Sequence, residues 1–161
     1  KISLDDMDYP SWEKELYKDY EKINNLIDEL EKISPDKDKK LNELINLIEY
    51  KINNPINEGN RKVIVFSAFE DTVHYIYEHV SKYFKENYGI DSACIGGSNN
   101  NKCTLKIQKD MNNILMRFSP KSKKLSAICS NNNNNNTNIN EIDILIATDC
   151  ISEGQNLQDC D

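Results

Sequence analysis

A parallel α/β fold carrying a helical N-terminal extension is the architecture this sequence predicts, and three observations predict it. Two continuous apolar runs, Lys62-Val63-Ile64-Val65-Phe66-Ser67 and Ile142-Asp143-Ile144-Leu145-Ile146-Ala147-Thr148, have the β-branched content of strands covered on both faces. Between them, apolar residues recur at three- and four-residue steps, the signature of amphipathic helices. Strand and helix in alternation, with apolar strands, imply a parallel sheet with helices on both sides. Ahead of all this, residues 1–60 read as helical and charged.

In that first region Trp12, Leu16, Tyr20, Ile23, Ile27, Leu30 and Ile33 form one helical stripe. Ser34-Pro35-Asp36 stops it and offers a cap for a second helix. Leu41, Leu44, Ile45, Ile48 and Ile52 line that second helix, and Asn53-Asn54-Pro55 with Glu58-Gly59-Asn60 ends it. Two short helices packing on a domain is the expectation, with a coiled-coil seam as the alternative.

The first strand follows, and Ala68-Phe69-Glu70-Asp71 turns the chain. Asp71 or Thr72 is the expected cap of a helix carrying Val73, Ile76, Tyr77, Val80, Tyr83 and Phe84, which Tyr88-Gly89 terminates. Ser92-Ala93-Cys94-Ile95 reads as a short strand and Gly96-Gly97-Ser98 as a loop. One further helix is expected to hold Leu105, Ile107, Met111, Ile114, Leu115 and Phe118 and to stop at Ser119-Pro120. Residues 121–140 are polar and include the asparagine run Asn131–Asn136, so a low-complexity, disordered insertion is expected, with a short ordered patch at Leu125–Cys129. The expected division is therefore a helical extension or linker over 1–60 and an α/β domain over 61–161.

Composition narrows the class. A chain of 161 residues is enough for one domain with an appended piece, and a domain of that size buries roughly 70% of its unfolded surface without staples. No apolar run approaches the about 18 residues of a membrane helix, so no membrane partner is expected. The sequence begins at Lys1, without a signal pattern, and reads as a piece of something larger that is cytoplasmic or nuclear rather than secreted. The five cysteines, Cys94, Cys103, Cys129, Cys150 and Cys160, form no CxxC pair, and His74 and His79 do not share a helix face, so no metal site is expected. The net charge of −7, with Arg61 and Arg117 the only arginines, weighs against strong phosphate binding by this chain alone.

In open parallel sheets, ligands bind at the carboxyl ends of the strands. Two such ends here are polar: Ser67-Ala68-Phe69-Glu70-Asp71, and Thr148-Asp149-Cys150-Ile151-Ser152-Glu153-Gly154-Gln155-Asn156. Gly154 permits close backbone approach to a ligand. Asn156 can both donate and accept, as ribose recognition needs, and Thr148 can donate to a phosphate oxygen. An ordinary polar loop leaving a strand fits the same composition.

The run Ile144-Leu145-Ile146-Ala147-Thr148-Asp149, then Ser152-Glu153-Gly154-Gln155-Asn156-Leu157-Gln158, resembles motif V of superfamily-two helicases. Lys62–Ser67 resembles motif IV. Gly97-Ser98, followed by a helix ending Arg117-Phe118, resembles the segment between the two motifs. The likeness covers roughly 36–161 apart from the insertion, and its wording is nearest the branch holding Swi/Snf-type translocases and bacterial defence or restriction helicases. It implies part of a second, C-terminal RecA-like motor domain. Gly154, Asn156 and Glu153 would face ATP, although relatives often carry Arg at the Glu153 position. Thr148, Ser67, Ala68, Gly97 and Ser98 would line the nucleic-acid backbone. A phosphate could also rest on amides of the Gly96–Ser98 loop where it opens a helix.

No G-x-x-x-x-G-K-[ST] loop occurs, and neither the expected Asp-Glu pair nor the family's arginine finger is present. The resemblance thus implies ATP and Mg²⁺ in the intact protein, none bound to this chain alone, and no catalytic residue here. The implied partners are nucleic acid, DNA ahead of RNA, and the first RecA-like domain of the same parent. One rival is a noncatalytic RecA-like interaction module. Another is a different nucleotide enzyme using Asp149 and Glu153 as an acid–base or metal pair.

Overall fold

In the computed structural model, residues 8–97, 100–123, 140–151 and 154–160 are described. Ser98, Glu153, the Asn131–Asn136 run, Cys129 and the expected ordered patch at Leu125–Cys129 lie outside them. The chain divides into two compact units, 1–43 and 44–161.

The first unit is built around helix α1, Tyr9–Glu31. Asp8 caps it by accepting from Ser11 N, and Pro10 sits in the first turn, where a missing N–H costs nothing. Its apolar stripe is all on the surface: Trp12, Leu16, Tyr20, Ile23, Ile27 and Leu30 are exposed, and no residue of α1 is buried. A single 3-10 turn, Pro35–Lys37, separates α1 from α2, Lys39–Asn53. The cap of α2 is Asp38, whose Oδ1 accepts from Lys40 N and Leu41 N, rather than the Ser34–Asp36 stretch expected.

The second unit is α/β. Its sheet has strands β1 (Val63–Phe66), β2 (Ser92–Ile95), β3 (Lys102–Cys103) and β4 (Ile144–Ala147), in spatial order β1-β4-β2-β3. β4 is parallel to both neighbours, with Val63 opposite Ile144 and Ser92 opposite the same residue on the other side. β3 runs antiparallel along β2. Helix α3 (Glu70–Tyr88) packs on β2 and β4. Helix α4 (Met111–Phe118) takes the other face, where Ile114, Leu115 and Phe118 join Ala93, Ile95, Leu145 and Ala147 in one buried cluster. Alternation along the strands explains the division. Cys94, one residue out of phase with that cluster, meets His74 of α3 on the opposite face.

Gly89 ends α3 as the sequence requires: its φ is 65°, a left-handed value that glycine adopts at little cost, and its N–H returns to Lys85 O. The start of α3 differs from expectation. The helix begins at Glu70, with Phe69 at the cap position and no side-chain cap bond. Ser67 Oγ instead accepts from Phe69 N, so the turn closes before Asp71 is reached. Tyr83 and Tyr88 both donate to Glu49 Oε1, tying α3 to the second half of α2.

The helix expected from Leu105 onward is shorter, beginning only at Met111. Residues 102–104 are captured by the edge of β2 instead. Thr104 N donates to Ser92 O, and Thr104 Oγ1 accepts from Ser92 N while donating to Asp91 Oδ1. Leu105 and Ile107 still reach the core cluster, but from a bend. Asp110 caps α4 by accepting from Asn113 N. No described helix is long and apolar enough to cross a membrane.

Candidate functional site at the carboxyl ends of the strands

Register brings the two polar strand ends together. Phe66 is opposite Ala147, and Ser67 N donates to Ala147 O at 3.0 Å. Ile95 is opposite the same alanine, and Thr148 N donates to Ile95 O at 3.2 Å. Ser67, Thr148 and Gly96 therefore stand in a row across three adjacent strand ends, at the strand spacing of about 4.8 Å. Thr148 is central and only 6% exposed, Ser67 is half-buried, and Ala68 and Gly97 are open to solvent. Phe69, beside them, is 71% exposed.

After β4 a 3-10 turn, Asp149–Ile151, drives Ile151 into the core and leaves Asp149 and Cys150 outside. The chain then runs back toward the start of β1. Leu157 and Cys160 pack against the core cluster, Cys160 Sγ donates to Lys62 O, and Asn60 Nδ2 donates to Asp159 O. These anchors present Gly154 and Asn156 on the surface. Gly154 has φ 70°, which disfavours any side chain there, and Asn156 Oδ1 accepts a long bond of 3.4 Å from Gln158 N. Lys123, at the far end of the α4 exit, donates to Gln155 Oε1 at 2.8 Å.

Asp159 holds that exit in place. Its carboxylate accepts from Lys121 N, Ser122 N and Ser122 Oγ. Burial works to raise its pKa, but the Ser122 hydroxyl, the two amides and the Lys62 charge together hold the group below the usual carboxylate range.

Of the residues proposed from sequence, Thr148, Ser67, Ala68 and Gly97 share one end of the sheet, and Gly154 and Asn156 lie exposed in the segment leaving it. Ser98 and Glu153 are outside the described residues. The Gly96–Gly97 loop does not open a helix: β3 follows it, and α4 starts only at Met111. No helix dipole from α4 is therefore directed at a phosphate at that loop.

From sequence, Glu70 was named only as part of a polar strand end, and His74 and Cys94 were given no role here. Glu70 Oε1 lies 3.5 Å from His74 Nε2, and His74 Nδ1 lies 3.6 Å from Cys94 Sγ. The spacing of Glu70 and His74, four apart on a helix, was a readable signal. The contact to Cys94 was not, because it depends on the strand order. Burial pushes the Cys94 thiol up to about 11, so it is a protonated core group and not a nucleophile.

A polar cavity of about 260 Å³ opens at the opposite end of the sheet, lined by Arg61, Lys62, Lys121, Glu141, Asp143 and Asp159 among others. Three of its charges pair with one another. Lys62 Nζ lies 2.7 Å from Glu141 Oε2 and 3.2 Å from Asp143 Oδ1, and donates to Ile142 O at 2.9 Å. We assign it to structure, since it sits at the amino ends of β1 and β4. Among the described residues, no group of three or more His, Cys, Asp or Glu side chains can hold a metal ion.

Fold and site together define an α/β domain with a polar surface at the carboxyl ends of a mostly parallel sheet, an arrangement compatible with part of a RecA-like fold. No protein-family model, curated protein or solved structure matches the chain.

Proposed function

We propose that this chain supplies part of the second RecA-like motor domain of an ATP-dependent nucleic-acid helicase or translocase. It would complete the ATP cleft and grip the nucleic-acid backbone without hydrolysing ATP alone. One observation carries the reading: Ser67 and Thr148, from motif-like segments 81 positions apart, are neighbours at adjacent strand ends, and Gly154 and Asn156 are exposed in the segment that follows Thr148 in sequence. A surface of hydroxyls and backbone amides suits phosphate contacts that fix position without reading sequence. It also reconciles the role with an acidic chain, since few cations are needed when donors are neutral and the partner domain shares the groove.

In the intact protein, ATP would sit between this surface and the first RecA-like domain, which would supply the phosphate-binding loop and Mg²⁺. DNA is the expected track. Full-length protein should hydrolyse ATP faster when duplex or single-stranded DNA is added, and the isolated chain should not hydrolyse it at all. A full-length protein whose ATPase ignores DNA and RNA alike would end the proposal.

The interaction-module reading keeps one observation in its favour. The apolar stripe of α1, from Trp12 to Leu30, is exposed along its length, as a surface awaiting a partner would be. A scaffold of that kind would tolerate loss of the Thr148 hydroxyl and the Asn156 amide.

A further inference from the structure

We propose that Glu70 is a positioning residue for the Gly96–Gly97 loop, with its carboxylate aimed by His74 and, behind that, by Cys94. The inference rests on the motor-domain reading, which puts that loop beside the nucleic-acid backbone.

Glu70 is the first residue of α3 and Gly96 the first after β2, so they flank the end of β4 from its two sides. The carboxylate rests on the bare α-carbon of Gly96. A methyl group there would lie 2.5 Å from Glu70 Oε1 and 2.7 Å from its carboxyl carbon. Gly96 does not have a positive φ, so its backbone does not demand glycine, but any side chain there would make the Glu70 carboxylate move aside. Gly97, next along, is exposed.

The other end of the side chain's environment is equally defined. His74 lies one turn further along α3, with Nε2 buried, without a hydrogen-bond partner, and 3.5 Å from Glu70 Oε1. That distance is long for a hydrogen bond but within ion-pair range. The Cys94 thiol is fully buried in a central strand. Its Sγ lies 3.6 Å from His74 Nδ1. With Nδ1 accepting from that thiol, the ring proton would sit on Nε2, facing the carboxylate that rests on Gly96.

The test uses the full-length protein, with mixed-sequence duplex DNA as the probe and ATP hydrolysis as the readout. Glu70→Ala should raise the half-saturating DNA concentration about fivefold while changing the maximal rate less than about twofold. Glu70→Gln, which keeps the shape and the acceptor, should restore affinity. Gly96→Ala should displace the side chain and match Glu70→Ala, and the double variant should add nothing further. Urea midpoints check that each variant folds; if Gly96→Ala does not, the Ala and Gln variants of Glu70 decide alone. Unchanged affinity in Glu70→Ala, no rescue by Gln, or additive losses would overturn the assignment. In those cases an active wild type leaves the motor reading standing. A wild type with no DNA-stimulated hydrolysis overturns both.

Discussion

Replacing Thr148 by Val separates the chemistry of the strand end from its packing. Thr148 is 6% exposed, and its backbone N–H stays bonded to Ile95 O whatever the side chain is. The change swaps a hydroxyl for a methyl of nearly the same shape. Losing a net hydrogen bond costs about 1 kcal/mol, and burying a methyl returns up to about 0.8 kcal/mol. Folding stability should therefore move by less than about 1 kcal/mol, read as the urea midpoint of this chain. Function should move far more. A hydroxyl donating to a charged phosphate contributes about 1.5–3 kcal/mol, or roughly ten- to a hundredfold in affinity. The assay is DNA-stimulated ATPase in the full-length protein, comparing kcat/KM for DNA between wild type and T148V. If T148V folds normally and keeps its stimulated rate within about twofold, Thr148 does not touch the backbone, and the motor reading loses its central contact.

Two further outcomes concern stability. Lys62→Ala should cost about 2–3 kcal/mol, because it strands the Ile142 carbonyl and two carboxylates that are only partly solvated, at 48% and 25% side-chain exposure. Lys62→Met should cost about 1–2 kcal/mol less than Ala, since the buried stem survives although the ammonium over Phe118 is lost; equal urea midpoints for the two would show that the stem does nothing. Asp159 is held below its ordinary range, so it contributes stability that is full above about pH 4 and lost as pH falls through its folded pKa. Asp159→Asn should lower the urea midpoint at neutral pH and converge with wild type on acidification, whereas parallel curves would refute the coupling.

How much was legible in the sequence depends on what each residue's environment needs. β4 was readable because a strand covered on both faces must be continuously apolar, and Ile144–Ala147 is buried throughout. Val63–Phe66 is a strand too, but it lies at the edge of the sheet and is only partly covered, with Phe66 52% exposed. The end of α3 was readable because Gly89 must adopt a left-handed φ. The start of α4 was not. Leu105 and Ile107 satisfy a helical period, yet they reach the same core from a bend once Thr104 has been taken by the edge of β2. For α1 the period correctly indicated an amphipathic helix, but it carries no information about what the stripe meets, and no residue of α1 is buried. At the site, the strand-end rule located Ser67 and Thr148. It could not locate the Glu70, His74, Cys94 and Gly96 cluster, because those contacts depend on which strand lies between β1 and β2.

That strand is the last of the described strands in sequence order. β1 and β2 never pair with each other; each pairs with β4, which arrives after the polar stretch 121–140. The row of Ser67, Thr148 and Gly96 consequently exists only when β4 is inserted. A low-complexity connection just before it is thermodynamically cheap: loop-closure cost grows with the logarithm of length, about 0.6 kcal/mol per doubling. The registers on either side of β4 are fixed by its own four apolar residues, so lengthening the connection leaves the strand end where it is. Thr148 sits where both registers terminate, with its own N–H bonded to β2 and the preceding carbonyl bonded to Ser67. Its position requires all three parallel strands at once, and it carries a hydroxyl at the end of both registers, so that hydroxyl is the sharpest probe of whether this surface does chemistry or only holds the sheet together.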